Sequence, residues 1–260
     1  MKKLASVMVV FWAIGCFCPS FSVAIEKADL EELQFISQIF AEKIGNTANL
    51  DPGYINLTRQ YALLRISQNP NIVSSQYLLY VDRNPREQNV YICFYDADWK
   101  NIFFIGGAKT STGNGNRKGD FFETPVGFLD NDPIILGYRA QGTKNKKGWM
   151  GLGVKNSRVW DFGWQKTVKY GHTCEIRLLM HATDPGQGEP RLGSTDSKGC
   201  VRLSNKMARF IDYYGLIDRK YEESQDKSRR ALLAPDRKPV KNAGSFVLVG
   251  DSREFMMAQK

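Results

Sequence analysis

Apolar and polar positions follow two different periods along this chain. From Ala28 to Gly45, Leu30, Leu33, Ile36, Phe40 and Ile44 recur three or four residues apart, which puts them on one face of a helix that Gly45 stops. A second helical stretch runs from about Tyr54 to Ser67. After Ser75 the pattern changes to short alternating or wholly apolar runs with turn residues between them: Tyr77 to Asp82, Val90 to Tyr95, Ile102 to Ala108, Ile134 to Arg139, Thr173 to His181 and Phe246 to Gly250. Such runs predict a mainly β domain with few helices. Ser204 is placed to cap one of those helices, through Met207, Phe210, Ile211 and Tyr214, and Gly215 to end it. Glu222 to Lys238 is highly charged and reads as exposed helix and loop. The expected division is residues 25–75 as a helical preface and 76–260 as the β-rich domain; no repeat or low-complexity linker parts them, so the preface reads as a packing element.

Two segments resist a plain strand reading. Gly113 to Gly119 is rich in Gly and Asn, but it lacks a Gly-Lys-Ser/Thr ending and a following apolar helix, so it is a turn and not a phosphate loop. Residues 141–169 carry Lys144, Lys146 and Lys147 together with Trp149, Trp160 and Trp164, and are expected to form a loop insertion. Its tryptophans either grip a ligand as a lid or rim, or seal the loop's own small core.

Residues 1–24 read as a secretory signal: Lys2 and Lys3, an apolar stretch from Leu4 to about Cys18, and Ser22-Val23-Ala24 as a small-x-small cleavage site. The implied protein is exported to a periplasm or cell-wall space, with no stable membrane span after cleavage. Ala13-Ile14-Gly15-Cys16 leaves lipidation at Cys16 as an alternative. Cleavage removes two of the 36 basic residues and none of the 27 acidic ones, so the net charge falls from +9 to +7. That modest excess, without clustered bases interleaved with stacking aromatics, argues against a nucleic-acid partner and suits a soluble protein working beside an anionic wall. Three cysteines then remain, Cys93, Cys174 and Cys200, and an odd number in an oxidising compartment leaves at least one thiol free. Cys93 and Cys174 are core thiols or a bridged pair; either way Cys200 is spared.

The sequence around Cys200 is that of a reactive thiol. Gly199 lets backbone approach a substrate closely, Ser197 and Lys198 are polar, and Arg202 is a fixed cation, which favours thiolate. An ordinary thiol is a few per cent ionised near neutrality and needs a base, and His181, at the end of an apolar run, supplies one. The other histidine, His172, would stand roughly 30 Å away and on the opposite face if one strand holds both. The two could not share a metal ion, and the spacing of Asp184 and Cys200 matches no standard zinc site. No metal or cofactor is expected.

His181, Leu192-Gly193 and Ser197-Lys198-Gly199-Cys200-Val201-Arg202, with Ser111-Thr112-Gly113 and Thr124-Pro125-Val126-Gly127-Phe128 ahead of them, resemble the L,D-transpeptidase (YkuD-type) catalytic domain of bacterial cell-wall enzymes. The opening pair Tyr80-Val81-Asp82 and Asn89-Val90-Tyr91-Ile92 fits as well, and the likeness covers roughly residues 76–215 and the strand near 245–250. Ala182 and Lys198 depart from the Gly and His common at those places. The resemblance implies a β-sandwich with a catalytic Cys loop. It implies Cys200 as nucleophile, His181 as base, and thioester chemistry on peptidoglycan stem peptides, ending in 3-3 cross-links or in transfer to another acceptor such as a lipoprotein. Gly199 and Cys200 would offer N–H groups to the oxyanion, with Ser197 orienting the loop, and Arg202, Lys198 and Trp164 touching substrate. Arg202 alternatively pairs with a local carboxylate. Hydrolysis on the same scaffold, and an inactive wall-binding protein, are the alternatives.

Overall fold

The computed structural model describes residues 27–256; the expected signal segment and Cys16 lie outside the described residues. Helix α1, Lys27–Lys43, and helix α2, Pro52–Ser67, come first. Asp51 caps α2 by accepting from the Tyr54 N–H at 2.9 Å, and Pro52 occupies a first-turn position whose missing N–H costs nothing.

Two sheets follow. The first runs in the order β3-β2-β1-β9-β4, from β1 (Gln76–Asp82), β2 (Asn89–Asp96), β3 (Asn101–Lys109), β4 (Gly127–Asp130) and β9 (Phe246–Gly250). The second runs β5-β6-β7-β8, from β5 (Tyr138–Arg139), β6 (Arg158–Lys169), β7 (His172–Ala182) and β8 (Val201–Leu203). Between them lies a core that takes alternate residues from each: Tyr77, Leu79 and Val81 of β1, Trp160 and Phe162 of β6, Leu178, Met180 and Ala182 of β7, and Val201 and Leu203 of β8. The β-rich fold expected from the sequence is what the chain adopts.

Every residue of β1, β2 and β9 is buried, which a sheet with one wet face cannot give. The outer face of the first sheet is covered: Leu78, Tyr80, Tyr91 and Cys93 pack with Tyr54, Ala62 and Ile66 of α2. Helix α1 enters the main core through Leu33, Ile36 and Phe40, and the Phe40 ring lies where a side chain on Gly106 of β3 would stand. Helix α3, Asn205–Tyr213, starts at Ser204, whose hydroxyl accepts from the Met207 N–H at 3.1 Å, and it adds Met207, Phe210 and Ile211 to the same core. Short helices α4 (Arg219–Glu222) and α5 (Lys227–Arg230) break up the charged segment, and α6 (Ser252–Met256) follows β9.

Three expectations are corrected. The run Ile134 to Arg139 is strand only at its end, because Asp132 turns the chain by accepting from the Ile134 and Ile135 N–H groups, and Ile134 is left exposed. The insertion expected over 141–169 is loop only to residue 157: from Arg158 onwards the chain is β6, with Trp160 fully buried. Finally, Cys174 is not a core thiol; it is half-buried near the start of β7, while Cys93 is fully buried in the other sheet, and both are unbridged.

Candidate active site

Register in the second sheet places His181 among its neighbours. Tyr138 of β5 pairs with Val159 of β6, Val159 with His181 of β7, and His181 with Arg202 of β8. Met180 and Val201, paired one residue earlier, both point into the core. Alternation therefore turns His181 and Arg202 to the opposite face of the sheet, and Cys200, directly before Val201, turns the same way. Asp161, paired with Leu179, belongs to that face too, followed by Trp164 paired with Arg177. Imidazole and a fixed cation thus share one face across two parallel strands, with the thiol on the loop residue that leads into β8. His172 opens β7, exposed, at the far end of the same strand and with the other parity.

The loop carrying Cys200 is tied down by its own polar groups. Ser197 Oγ accepts from the Gly199 N–H at 3.0 Å and donates to the Cys200 carbonyl at 2.6 Å. Thr124 donates its hydroxyl to the Gly199 carbonyl at 2.6 Å and accepts from the Gly113 N–H at 2.9 Å, while Gly113 also bridges to Ser197. The Ser-Thr-Gly and Thr-Pro stretches noted in the sequence are thereby brought against the cysteine loop. Gly199 has φ +138°, a backbone angle that demands glycine, and a Cβ there would stand 2.6 Å from Ile176 Cδ1, which would have to shift. The Gly199 N–H, expected from the sequence to face an oxyanion, donates here to Ser197 Oγ.

Burial sets the electrostatics. His181 is 4% exposed, and desolvation pulls its pKa down to about 4, with the Arg202 charge acting the same way and the Ala182 carbonyl opposing. Its Nδ1 lies 2.6 Å from the Ala182 carbonyl oxygen, which can only accept; the ring proton therefore sits on Nδ1 and leaves Nε2 as a basic lone pair. Burial likewise raises the half-buried Cys200 thiol, against the lowering effects of the Leu179 peptide group and Arg202. The expectation that Arg202 favours thiolate is right for that one interaction, but desolvation outweighs it. At rest the pair is thiol and neutral imidazole.

The other expected site residues are spread around this centre. Arg202 Nη1 is 3.0 Å from Asp196 Oδ2, the local carboxylate pairing that the sequence left open. Lys198 is exposed and 3.7 Å from Asp120. Trp164 stands 65% exposed on the strand itself, not on a lid. Asp184 accepts from the N–H groups of Met150, Gly186 and Gln187, which pins the 141–157 loop beside the site. Sequence reading passed over three neighbours of the thiol. Asp161 adds to the rise that burial gives the thiol, Arg177 pairs with Asp161 at 2.8 Å, and the Tyr138 phenol, raised chiefly by burial, is raised further by Asp161 and by Cys200 when that is ionised. Asp161 was legible as a carboxylate between two core aromatics, Trp160 and Phe162; Tyr138 was not, because a two-residue strand leaves no pattern. A cavity of about 400 Å³ opens between Tyr138, Arg139 and the loop residues Gln141 to Gly153, with Trp149 in its wall. A larger one, about 740 Å³, lies away from this face, around Asp29, Asp96, Arg219 and Asn242. Among the described residues no group of three His, Cys, Asp or Glu is arranged to hold a metal ion, and no helix is long and apolar enough to cross a membrane.

No family model matches this chain, and no curated protein matches it. A solved structure to which it is similar is a fused Zn-dependent amidase/peptidase/peptidoglycan-binding domain-containing protein from Clostridium acetobutylicum, at 14% identity and a TM-score of 0.30 over 78% of this chain. The chain spans 64% of that protein's length. At this score the likeness carries no weight for function, which must come from the residues of the site.

Proposed function

We propose that the protein is an exported cysteine L,D-transpeptidase acting on peptidoglycan stem peptides. The observation that carries this reading is that the strand bearing an imidazole with its proton fixed on Nδ1 pairs with the short strand that a half-buried thiol on a glycine-shaped loop leads into. In this reading His181 Nε2 takes the Cys200 proton as sulfur attacks the carbonyl of an L,D peptide bond. The Cys200 N–H faces the developing oxyanion, the imidazolium returns its proton to the leaving amine, and a thioester forms. An amine from another stem, or from a lipoprotein acceptor, then attacks the thioester, giving a 3-3 cross-link or a related transfer product. Because thiol and imidazole are both neutral at rest, proton transfer is coupled to substrate entry and idle thiolate is kept scarce in an oxidising compartment. The likeness of the His181 and Ser197-to-Arg202 residues to the L,D-transpeptidase family supports the substrate class, and residues 1–24 support export to the periplasm or cell-wall space.

Purified protein incubated with a carbapenem-like acylating agent should gain its mass at one site, and Cys200→Ala should not; labelling that survives the substitution sinks the assignment of the nucleophile. With defined stem peptides, mass spectrometry should show transfer products. Hydrolysed stems alone would make the protein an L,D-carboxypeptidase or related hydrolase, with water resolving the same thioester. Failure to acylate with any donor would leave a wall-binding protein without activity.

A further inference from the structure

Three guanidinium groups converge on one carboxylate beside the thiol. Asp196, 8% exposed, has Arg202 on Oδ2 at 3.0 Å and Arg191 on Oδ1 at 2.5 Å, and Arg117 reaches the same Oδ1 at 3.8 Å. They come from three separate segments: the Gly-rich turn, the loop after β7, and β8. A single carboxylate neutralises one of the three cations. Lys198 adds a fourth, set against the exposed Asp120 at 3.7 Å, so four cations face two carboxylates at the edge of the site. An excess of positive charge at the mouth of a site favours an anionic ligand there. Arg202 is the most buried of the arginines and its Nη1 is taken, whereas Arg191 and Arg117 are about half exposed and keep further N–H groups open. Both also lie over aromatic rings: Arg191 over the Trp149 ring at 5.2 Å, and Arg117 over Phe121 at 4.4 Å. Trp149 lines the cavity of about 400 Å³ that also contains Tyr138, so Arg191 stands over one wall of that cavity.

We propose that Arg191 and Arg117, oriented by Asp196, bind a free carboxylate of the peptide acyl donor, namely that of the residue expelled when Cys200 attacks. This rests on the function proposed above and narrows it. The carboxylate of a terminal residue lies three bonds beyond the attacked carbonyl carbon, so a donor seated with its carbonyl at the sulfur would direct that group towards the arginine cluster that begins at Arg202, whose charge acts on the thiol. A planar fork fits a carboxylate with two parallel hydrogen bonds, and stacking on Trp149 and Phe121 keeps the forks ready. A donor ending in a carboxamide would forgo the charge-assisted pair with the two guanidinium groups and should be a poor substrate. The fixed Asp196 limits the excess charge, so a released product carboxylate is not trapped.

Two measurements test this separately from the activity itself. The first compares alkylation of Cys200 by iodoacetate and by iodoacetamide, which needs no stem peptide. Wild type should favour the anionic reagent about tenfold relative to free cysteine, and Arg191→Gln with Arg117→Gln should remove that preference while the iodoacetamide rate and the melting temperature stay as they were. The second compares acylation by a tetrapeptide donor as free acid, as C-terminal amide, and with only its side-chain carboxylate amidated. Kcat/KM should fall about ten- to hundredfold for the C-terminal amide alone, and the double variant should lose that discrimination. Equal use of acid and C-terminal amide by wild type, or a loss confined to the side-chain amide, overturns the proposal while leaving the thiol chemistry intact. Absence of acylation by every donor would instead strike at the parent function, and an unaltered reagent preference in the double variant would overturn the anion site by itself.

Discussion

A buried histidine that stays neutral has consequences beyond proton transfer. His181 has a folded pKa of about 4 against an ordinary value of 6.5, so its neutral form is the one the fold tolerates. Above pH 6.5 both folded and unfolded chains hold it neutral and it has no effect on stability's pH dependence. As pH falls from 6.5 through 4 the unfolded chain takes up a proton that the folded chain refuses, and stability should decline by about 3 kcal/mol before levelling. Urea titrations of wild type and His181→Gln across that range check it: the variant should show a smaller acid loss, and parallel pH profiles would mean that the imidazole is protonated in place. Two opposing pulls act on Cys200, burial upwards and Arg202 downwards, and burial is the larger. Arg202 therefore matters twice, since its charge favours both the thiolate and the neutral imidazole.

At the scale of elements, the cysteine loop is shaped by a glycine that no other residue can replace at equal cost. In Gly199→Ala the new methyl would meet Ile176 while the backbone is held at φ +138°, so we expect about 1–3 kcal/mol of destabilisation together with loss of Cys200 acylation. Thermal melts and adduct mass measure the two effects separately; a variant that acylates at the wild-type rate would show that the loop geometry is not required. The loop also has few alternatives to its present path. The Ser197 hydroxyl bonds Gly199 and Cys200 while the Thr124 hydroxyl bonds Gly199 and Gly113, so the segments on either side of Gly119 and those around Cys200 order together. Strand β8 is three residues long, yet it fixes the thiol's facing because Val201 and Leu203 are drawn into the core.

On the scale of the whole molecule, the helical preface is part of the core and not an appendage. Phe40 of α1 is fully buried, stacks edge-on with Phe210 of α3 at 5.5 Å, and occupies the space that Gly106 leaves open. Phe40→Ala should cost about 3–5 kcal/mol and lower the melting temperature of the entire protein in one transition. A separate low-temperature transition, with the sheets melting as before, would show that α1 is an independent unit. Helix α2 has the complementary task of keeping the outer face of the first sheet dry, including Tyr80 and Tyr91, whose burial raises both phenol pKa values.

The apolar periods alone determined both helices of the preface, most strands, the α3 cap at Ser204 and the β-rich class, because those features arise from local spacing and from which face must leave water. Residue chemistry singled out Cys200 and His181 as well. What the linear pattern does not contain is which remote segments meet. That Arg117, Arg191 and Arg202 share Asp196, that Tyr138 and Asp161 neighbour the thiol, and that Ser197 takes up the Gly199 amide all follow from sheet register and loop closure. The pKa directions belong to that second kind too: neighbouring charge pointed towards thiolate, but desolvation depends on how much protein surrounds the sulfur, and only the packed chain decides that.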